Sequence, residues 1–333
     1  MFTDNSLTMV LVILTLPVCL LVSRMTILLA EKIGFVNHPN PIVVSHKTKT
    51  AYGGGVSLAI TLIMFLSVQS SNNDINVNFI LILLPIIAAG LLDDILKFSP
   101  LVKFVSEIIA IVPFLFLIKN NSFIYISVIV LFILISQNAW NLIDVMDGIT
   151  TGISIIIFFL MGLVLSTISD LQFYSSFSFA IAFCTIGLRF YNKAPAKIFL
   201  GETGTILLGS IFAIIVIQTF PTDKLTALFL VLLGSLPFFE LIFLIIVRTK
   251  KGIPFYRGSS DHFSLRMLNN GHSVNSINKK IIFICLVHSM LITIVCVFIR
   301  SIPALVISVC LSLAGYIHAY FYFVSLPAKE TTA

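Results

Sequence analysis

The chain has 333 residues, of which 58% are hydrophobic and only 10% are charged, and its formal net charge is +6. Soluble domains carry about 25% charged residues, so this composition and a mean hydropathy of +1.10 exclude an ordinary soluble protein. The hydrophobic residues form blocks, and a helix of about 20 apolar residues spans a hydrocarbon core of about 30 Å. Because lipid offers no hydrogen-bond partners, backbone N–H and C=O groups must hydrogen-bond within the protein, which favours helices. The sequence therefore predicts an all-α, polytopic integral membrane protein.

The apolar blocks predict about eleven transmembrane helices. In chain order they lie near residues 6–30, 52–70, 77–92, 100–118, 122–137, 149–168, 171–188, 199–219, 225–247, 281–299 and 302–325. The first block lacks a preceding basic segment and a small-residue cleavage pattern, so we expect a retained helix and not a signal peptide. No repeat or second domain is visible. We expect one transmembrane domain over residues 1–333, with a polar cytoplasmic loop at about 248–280.

The basic residues predict the orientation of these helices. Of the 20 Lys and Arg residues, sixteen fall in one alternating set of loops and three in the other, and Arg24 lies inside the first block. Cytoplasmic loops are enriched in Lys and Arg, so we expect a periplasmic N-terminus and a cytoplasmic C-terminus. A basic cytoplasmic face suits an anionic lipid leaflet. We therefore expect the bilayer, and no nucleic acid, as the partner of the positive charge.

Paired carboxylates form the first of four polar clusters at the predicted cytoplasmic helix ends. Asp93 and Asp94 are adjacent, and Lys97 follows Asp93 by four residues. Two neighbouring negative charges at a membrane boundary are costly, and a divalent cation relieves that cost. Lys97 could pair with Asp93 or hold a phosphate. An ordinary solvated loop is the alternative.

The second cluster repeats a polar residue every three positions. Asn138, Asn141, Asp144 and Asp147 precede Gly148 between two apolar blocks. Neighbouring members meet on a helix, and a loosened, 3₁₀-like helix end would bring all four together. Helix capping is the alternative explanation.

The third and fourth clusters suit a phosphate-bearing ligand. Glu202, between Gly201 and Gly204, begins an apolar block. The start of a helix favours a bound phosphate, and the Glu202 carboxylate could bind a hard cation. A simple helix N-cap is the alternative explanation. His262 and Arg266 lie in the polar loop and suit phosphate contacts, although any basic loop would look similar. Mg²⁺ binds through one or two carboxylates plus substrate phosphates, so together the clusters predict Mg²⁺ and a polyanion at the inner membrane surface.

The motifs, in this order, resemble the polyprenyl-phosphate N-acetylhexosamine-1-phosphate transferase family. The matching segments are Lys49 to Gly55, Asp93-Asp94-x-x-Lys97, Asn138 to Gly148, Arg189-Phe190-x-Asn192 with Phe199 to Gly204, and the loop with His262 and Arg266. The branch that uses undecaprenyl phosphate and UDP-N-acetylglucosamine is the most similar. The resemblance implies transfer of an N-acetylhexosamine-1-phosphate from a UDP-sugar to undecaprenyl phosphate, with release of UMP. Such a reaction begins the membrane stage of cell-envelope polysaccharide synthesis, lipopolysaccharide included.

The resemblance also implies residue roles. The implied metal ligands are Glu202, Asp93 and Asp94, holding Mg²⁺ or alternatively Mn²⁺. The implied catalytic residues are Asp93, Asp94 and Asp144. The implied substrate-binding residues are Lys49, Lys97, Asn141, Asp147, Asn192, Phe199, His262 and Arg266. On this basis we expect Asp93→Asn or Asp94→Asn to abolish turnover and leave folding intact.

Three departures from the family pattern keep alternatives open. Glu202 replaces the usual Asp, Val145 stands where Gly is usual, and Ser264 and Leu265 stand where further histidines are expected. A family member that binds without catalysis is one alternative. A transporter of anionic solutes or lipids is another, although transporters often show repeated halves. We expect a multi-pass protein of the bacterial inner (plasma) membrane with a cytoplasmic active site; the sugar, the pathway and a homodimer are left open.

Overall fold

Helices make up nearly all of the computed structural model, which describes residues 4–37, 49–69, 73–118, 122–254 and 256–328. The helices are α1 Asp4–Ile33, α2 Gly54–Val68, α3 Asn73–Leu96, α4 Pro100–Leu115, α5 Phe123–Ile143, α6 Ile149–Ser166, α7 Gln172–Asn192, α8 Gly201–Thr219, α9 Lys224–Leu233, α10 Ser235–Lys250, α11 Phe263–Asn269, α12 Val274–Phe298 and α13 Ile302–Ser325. Two two-residue strands, β1 Val36–Asn37 and β2 Thr50–Ala51, pair antiparallel. The all-helical prediction is confirmed.

The helices have the length and composition of membrane spans. Within the described ranges eight helices pass as candidate spans, and α9 with α10 forms a ninth that is bent by 61°. Each predicted block coincides with a helix or with this bent pair. However, α2 has 15 residues and α4 has 16, fewer than the roughly 20 that a full crossing takes. The polytopic class is confirmed, and the count of eleven and the orientation stay predictions.

Two predicted boundaries differ from the structure because polar residues continue a helix. The helix predicted to end near residue 137 continues to Ile143, so Asn138 and Asn141 lie within α5. The helix predicted from residue 281 begins at Val274, with Ser273 as its N-cap. The polar segment between α10 and α12 is accordingly shorter than predicted and contains α11.

Helix α8 lies at the centre of the packing, and glycines bring its neighbours close to its first turn. A Cβ on Gly55 of α2 would lie 2.1 Å from the backbone nitrogen of Gly204, and a Cβ on Gly90 of α3 would lie 2.5 Å from the Cα of Thr203. Only glycine permits backbones to approach so closely. The start of α8, which carries Glu202, is therefore fixed between α2 and α3.

The segment around β2 runs beside the segment that leads into α8. The Phe199 N–H donates to the carbonyl of Ala51 at 2.8 Å, and the N–H groups of Gly54 and Gly55 donate to the carbonyls of Phe199 and Leu200 at 2.9 and 2.8 Å. These bonds align Tyr52 with Phe199, whose ring centroids are 5.9 Å apart. The Lys49-to-Gly55 motif thus builds one wall beside the start of α8.

Candidate active site

A cavity of about 370 Å³ opens where α3, α5 and α8 meet the β2 segment. It is lined by Asn37, Tyr52, Asp94, Lys97, Asn141, Asp144, Val145, Met146, Asp147, Asn192, Phe199, Leu200, Gly201 and Glu202. Eight of the twelve residues predicted for the site are among them. Residues separated by more than one hundred positions in the chain thus meet in one polar cavity, as the motifs predicted.

Glu202 points from the first turn of α8 to two donors. Its Oε2 accepts from the Lys103 ammonium at 2.5 Å and from the Asn141 amide at 2.6 Å. The same ammonium lies 3.7 Å from Oδ2 of Asp93. Lys103, on α4, was not among the predicted site residues; its signal was a single basic residue near the start of a largely apolar block that also contains Glu107. Glu202 therefore has an internal cation as its partner.

Asp94 binds the N-terminus of α8. Its Oδ1 accepts from the Glu202 N–H at 2.9 Å, and its Oδ2 accepts from the Thr203 N–H at 3.0 Å and hydroxyl at 2.6 Å. Gly201 has a φ of 73°, and a Cβ there would lie 2.8 Å from Oδ2 of Asp94. A carboxylate at a helix N-terminus satisfies free N–H groups and is favoured by the helix dipole. Both oxygens of Asp94 are thus engaged in positioning Glu202.

Asp93 is not part of the cavity lining. The carboxylate is buried, and its Oδ1 accepts from the Phe98 N–H at 2.9 Å. Its other oxygen, Oδ2, faces Lys103. The two adjacent acids of the predicted pair therefore have different surroundings.

Asp144 and Asp147 lie in the turn that follows α5. Gly148, with a φ of 77°, ends the turn and precedes α6, as its place in the motif indicated. Desolvation raises the pKa of Asp144 to about 7, and the negative charges of Glu202 and Asp147 add to the increase. The Asp147 carboxylate accepts from the Ala196 N–H at 2.9 Å.

The carboxylates around the cavity show whether the side chains present could hold the predicted Mg²⁺. Across the described residues, no group of three or more His, Cys, Asp or Glu side chains could hold a metal by protein ligands alone. Mg²⁺ needs only one or two carboxylates when phosphates complete its shell. Glu202 and Asp144 both line the cavity. Desolvation is the main cause of the raised pKa of Asp144, and a cation would relieve the like-charge repulsion that adds to it. These two acids fit Mg²⁺ better than Asp94, whose oxygens are engaged by α8.

The wall opposite the acids combines a lysine with aromatic rings. The Lys97 ammonium lies 4.4 Å from the centroid of the Tyr52 ring, and Tyr52 contacts Phe199 edge to face. Asn192 is buried; its Oδ1 accepts from the Thr151 hydroxyl at 2.9 Å and its amide donates to the Ile198 carbonyl at 2.9 Å. Asn192 therefore shapes the segment before Phe199, and Phe199 is among the residues that line the cavity.

Arg189 braces the turn before α6. Its guanidinium donates to the Gly148 carbonyl and, at 3.2 Å, to the Thr151 hydroxyl. The sequence motif contained Arg189 without giving it a role. The structure gives it a positioning role for the segment that carries Asp144 and Asp147.

His262 and Arg266, in contrast, lie in a separate buried cluster beside α10 and α13. His262 Nδ1 is 2.8 Å from Oε1 of Glu240. Arg266 donates to the Asp261 carboxylate at 2.8 Å and to the Leu326 carbonyl at 3.0 Å, just after α13 ends. Burial alone would raise the pKa of Asp261, but hydrogen bonding and charge from Lys251, with the Arg266 charge, lower it.

Some residues predicted to bind substrate lie outside the cavity. Arg266 joins α11 to the end of α13, which is a structural role. Lys49 is exposed just before β2. Of the twelve predicted residues, Lys49, Asp93, His262 and Arg266 are not part of the described cavity lining.

This chain is similar to known proteins. Residues 75–220 match the model of glycosyl transferase family 4. A Bacillus subtilis (strain 168) protein named "Probable undecaprenyl-phosphate N-acetylglucosaminyl 1-phosphate transferase" is 30% identical over 289 residues, which cover 78% of this chain and 77% of that protein. The phospho-N-acetylmuramoyl-pentapeptide-transferase of Staphylococcus epidermidis (strain ATCC 12228 / FDA PCI 1200) is 33% identical over 184 residues, 55% of each chain. That of Staphylococcus haemolyticus (strain JCSC1435) is 39% identical over 107 residues, 32% of this chain and 33% of the relative.

Proposed function

The chain belongs to glycosyl transferase family 4, and on that premise we propose that it transfers an N-acetylhexosamine-1-phosphate from a UDP-sugar to undecaprenyl phosphate. An oxygen of the lipid phosphate forms a bond to the β-phosphorus of the UDP-sugar. The bond from that phosphorus to the bridging oxygen breaks, and UMP leaves. The observation that carries the proposal is the cavity in which Glu202, Asp144 and Lys97 meet at adjoining helix ends.

The reaction requires the protein mainly to stabilise negative charge on the phosphates and to position the two substrates. Glu202 and Asp144 would hold Mg²⁺, which when bound neutralises charge on the diphosphate. Lys97 supplies a cationic group for phosphate oxygens, and the Phe199 ring offers a surface for the nucleobase. A phosphate monoester is largely dianionic near neutral pH, since its second pKa is about 6. The acceptor therefore needs no general base, and orientation with electrostatic stabilisation supplies the rate.

An apolar groove supports a lipid acceptor. The groove has a volume of about 860 Å³ and lies between α5, α10 and α13, with Phe132, Phe238 and Tyr316 among its walls. Phe132 and Asn141 are both on α5, nine residues apart, which is about 14 Å along a helix axis. We assign the prenyl chain to this groove, because its phosphate could then reach the cavity along α5.

The location of the site is part of the same proposal. The cavity residues lie at the ends of helices whose loops carry the larger set of Lys and Arg residues. Such loops face the cytoplasm, where UDP-sugars are available. We infer that the protein resides in the bacterial plasma membrane with the cavity at its cytoplasmic face.

The proposal is tested with purified protein in detergent, undecaprenyl phosphate and a panel of UDP-N-acetylhexosamines, with and without Mg²⁺ or Mn²⁺. We expect metal-dependent UMP release with at least one donor. Glu202→Gln, which keeps the shape of the side chain and removes its charge, is expected to lose most of this activity. Binding of a UDP-sugar by folded protein without UMP release would favour a non-catalytic family member. Uptake of an anionic solute into vesicles without UMP release would favour a transporter.

A further inference from the structure

A second polar cluster lies behind the cavity and has no part in the proposed chemistry. Glu107, on α4, is 1% exposed. Its Oε2 accepts from the Asn138 amide at 3.3 Å, and its Oε1 is buried without a hydrogen-bond partner among the described residues. An unsatisfied buried carboxylate oxygen is costly. Asn138, the first residue of the three-residue repeat, thus serves Glu107 and not the cavity.

Lys103 stands between this cluster and the cavity. It lies one helical turn before Glu107 on α4, so the two side chains share a face of the helix. Its ammonium is 2.5 Å from Oε2 of Glu202 and 3.7 Å from Oδ2 of Asp93. A lysine has three donors on a flexible four-carbon stem. Lys103 therefore lies between the Glu202 carboxylate, on the cavity side, and Glu107, one helical turn further along α4.

The position of Lys103 conflicts with cation binding by Glu202. The ammonium lies against the carboxylate that a divalent cation would use, at 2.5 Å from its Oε2, so the two positive charges compete for one carboxylate. Displacing a largely buried ammonium without giving it a new partner is strongly unfavourable. Asp93, whose Oδ2 is 3.7 Å away, is one carboxylate beside the ammonium. Glu107 offers a second, on the side away from the cavity, and its buried Oε1 would gain the hydrogen bond it lacks.

We propose that Glu107 is a positioning residue that receives the Lys103 ammonium when a divalent cation binds Glu202. The inference rests on the metal site of the proposed function and deepens it. In this arrangement the two carboxylates exchange one internal cation, and Glu107 sets how readily Glu202 becomes available. Glu107 acts on the ion only through Lys103, which distinguishes its effect from a general contribution of negative charge.

The test is a double-mutant cycle on Mn²⁺ affinity, measured by electron paramagnetic resonance on the full chain in detergent, with a fixed concentration of a UDP-N-acetylhexosamine to supply the phosphate ligands and without lipid. Glu107→Gln is expected to weaken Mn²⁺ binding roughly three- to tenfold, within the range of coupling between residues in contact. Lys103→Met is expected to tighten binding, because it removes the competitor. In the Lys103→Met background, Glu107→Gln is expected to change the Mn²⁺ affinity by less than about twofold.

Two outcomes would overturn the inference. One is an unchanged affinity in Glu107→Gln; the other is an equal weakening with and without Lys103. Glu107→Asp keeps the charge but shortens the reach, so it should show a smaller loss that also disappears in the Lys103→Met background. This variant tests the inference if Glu107→Gln does not fold, as judged by thermal unfolding without metal. A wild-type protein that binds no Mn²⁺ would refute the metal site itself, and the inference with it.

Discussion

Replacing Asp94 by Asn removes the charge that binds the start of α8. The carboxylate accepts three hydrogen bonds, one from Glu202 and two from Thr203. An Asn has one acceptor oxygen, so at least one of these donors would face an NH₂ group. An unsatisfied buried donor costs about 1–3 kcal/mol, and the lost interaction with the helix dipole costs about 0.3–1 kcal/mol. We expect a loss of about 1–4 kcal/mol in the free energy of unfolding.

Thermal unfolding of the purified protein measures this loss. A change of 1 kcal/mol shifts the midpoint by about 2–4 °C in larger domains, so Asp94→Asn should lower it by several degrees. Asp93→Asn is the matched control, because Asp93 accepts one backbone hydrogen bond from Phe98 and does not cap α8. Equal midpoints for wild type and Asp94→Asn would refute the capping role. The expectation from sequence that Asp94→Asn leaves folding intact stays a prediction; the three hydrogen bonds favour a loss of stability instead.

Three further substitutions test other parts of the site. Glu202→Asp withdraws the carboxylate from Lys103 and Asn141, so kcat/KM should fall on the order of ten- to hundredfold; a gain in turnover would indicate a decayed site. Because the pKa of Asp144 is raised to about 7, its ligand form is populated only above that value, so Mn²⁺ affinity should rise as pH increases through about 7. Asp144→Asn should bind Mn²⁺ more weakly and flatten this profile, whereas an unchanged profile would exclude Asp144 as a ligand. Arg266→Lys keeps the charge but loses the forked contacts at the end of α13, so the unfolding midpoint should fall with KM for the UDP-sugar unchanged; the reverse pattern would put Arg266 in the substrate site.

The helices were predictable because lipid leaves the backbone few alternatives. Every apolar block became a helix or the bent α9–α10 pair. Boundaries were harder to predict, since polar residues such as Asn141 and Asn278 were read as the ends of helices and in fact continue them. The end of α2 at Val68 lies within two residues of the predicted end at 70, because polar residues follow it in the sequence.

The polar cavity was largely predictable because its residues lie in short motifs at helix ends. Lys103 was not, because its contact with Glu202 joins residues 99 positions apart and depends on how α4 packs beside α8. Arg266 was assigned to substrate from its residue type and from the family resemblance, and that role stays a prediction. Its acceptors include the Leu326 backbone carbonyl, just after α13, and the Asp261 carboxylate. Because every residue carries a backbone carbonyl, the sequence does not indicate which carbonyl an arginine will bind.

The central claim is that the sugar moves together with a phosphate. A UDP-N-acetylhexosamine carrying ³²P only in its β-phosphate tests this directly, with undecaprenyl phosphate as acceptor and the nucleotide and lipid products separated. We predict that the label enters the lipid fraction with the sugar and that the nucleotide product is unlabelled UMP. Label retained in UDP, with unlabelled sugar on the lipid, would mean that the glycosidic bond breaks and would contradict the account.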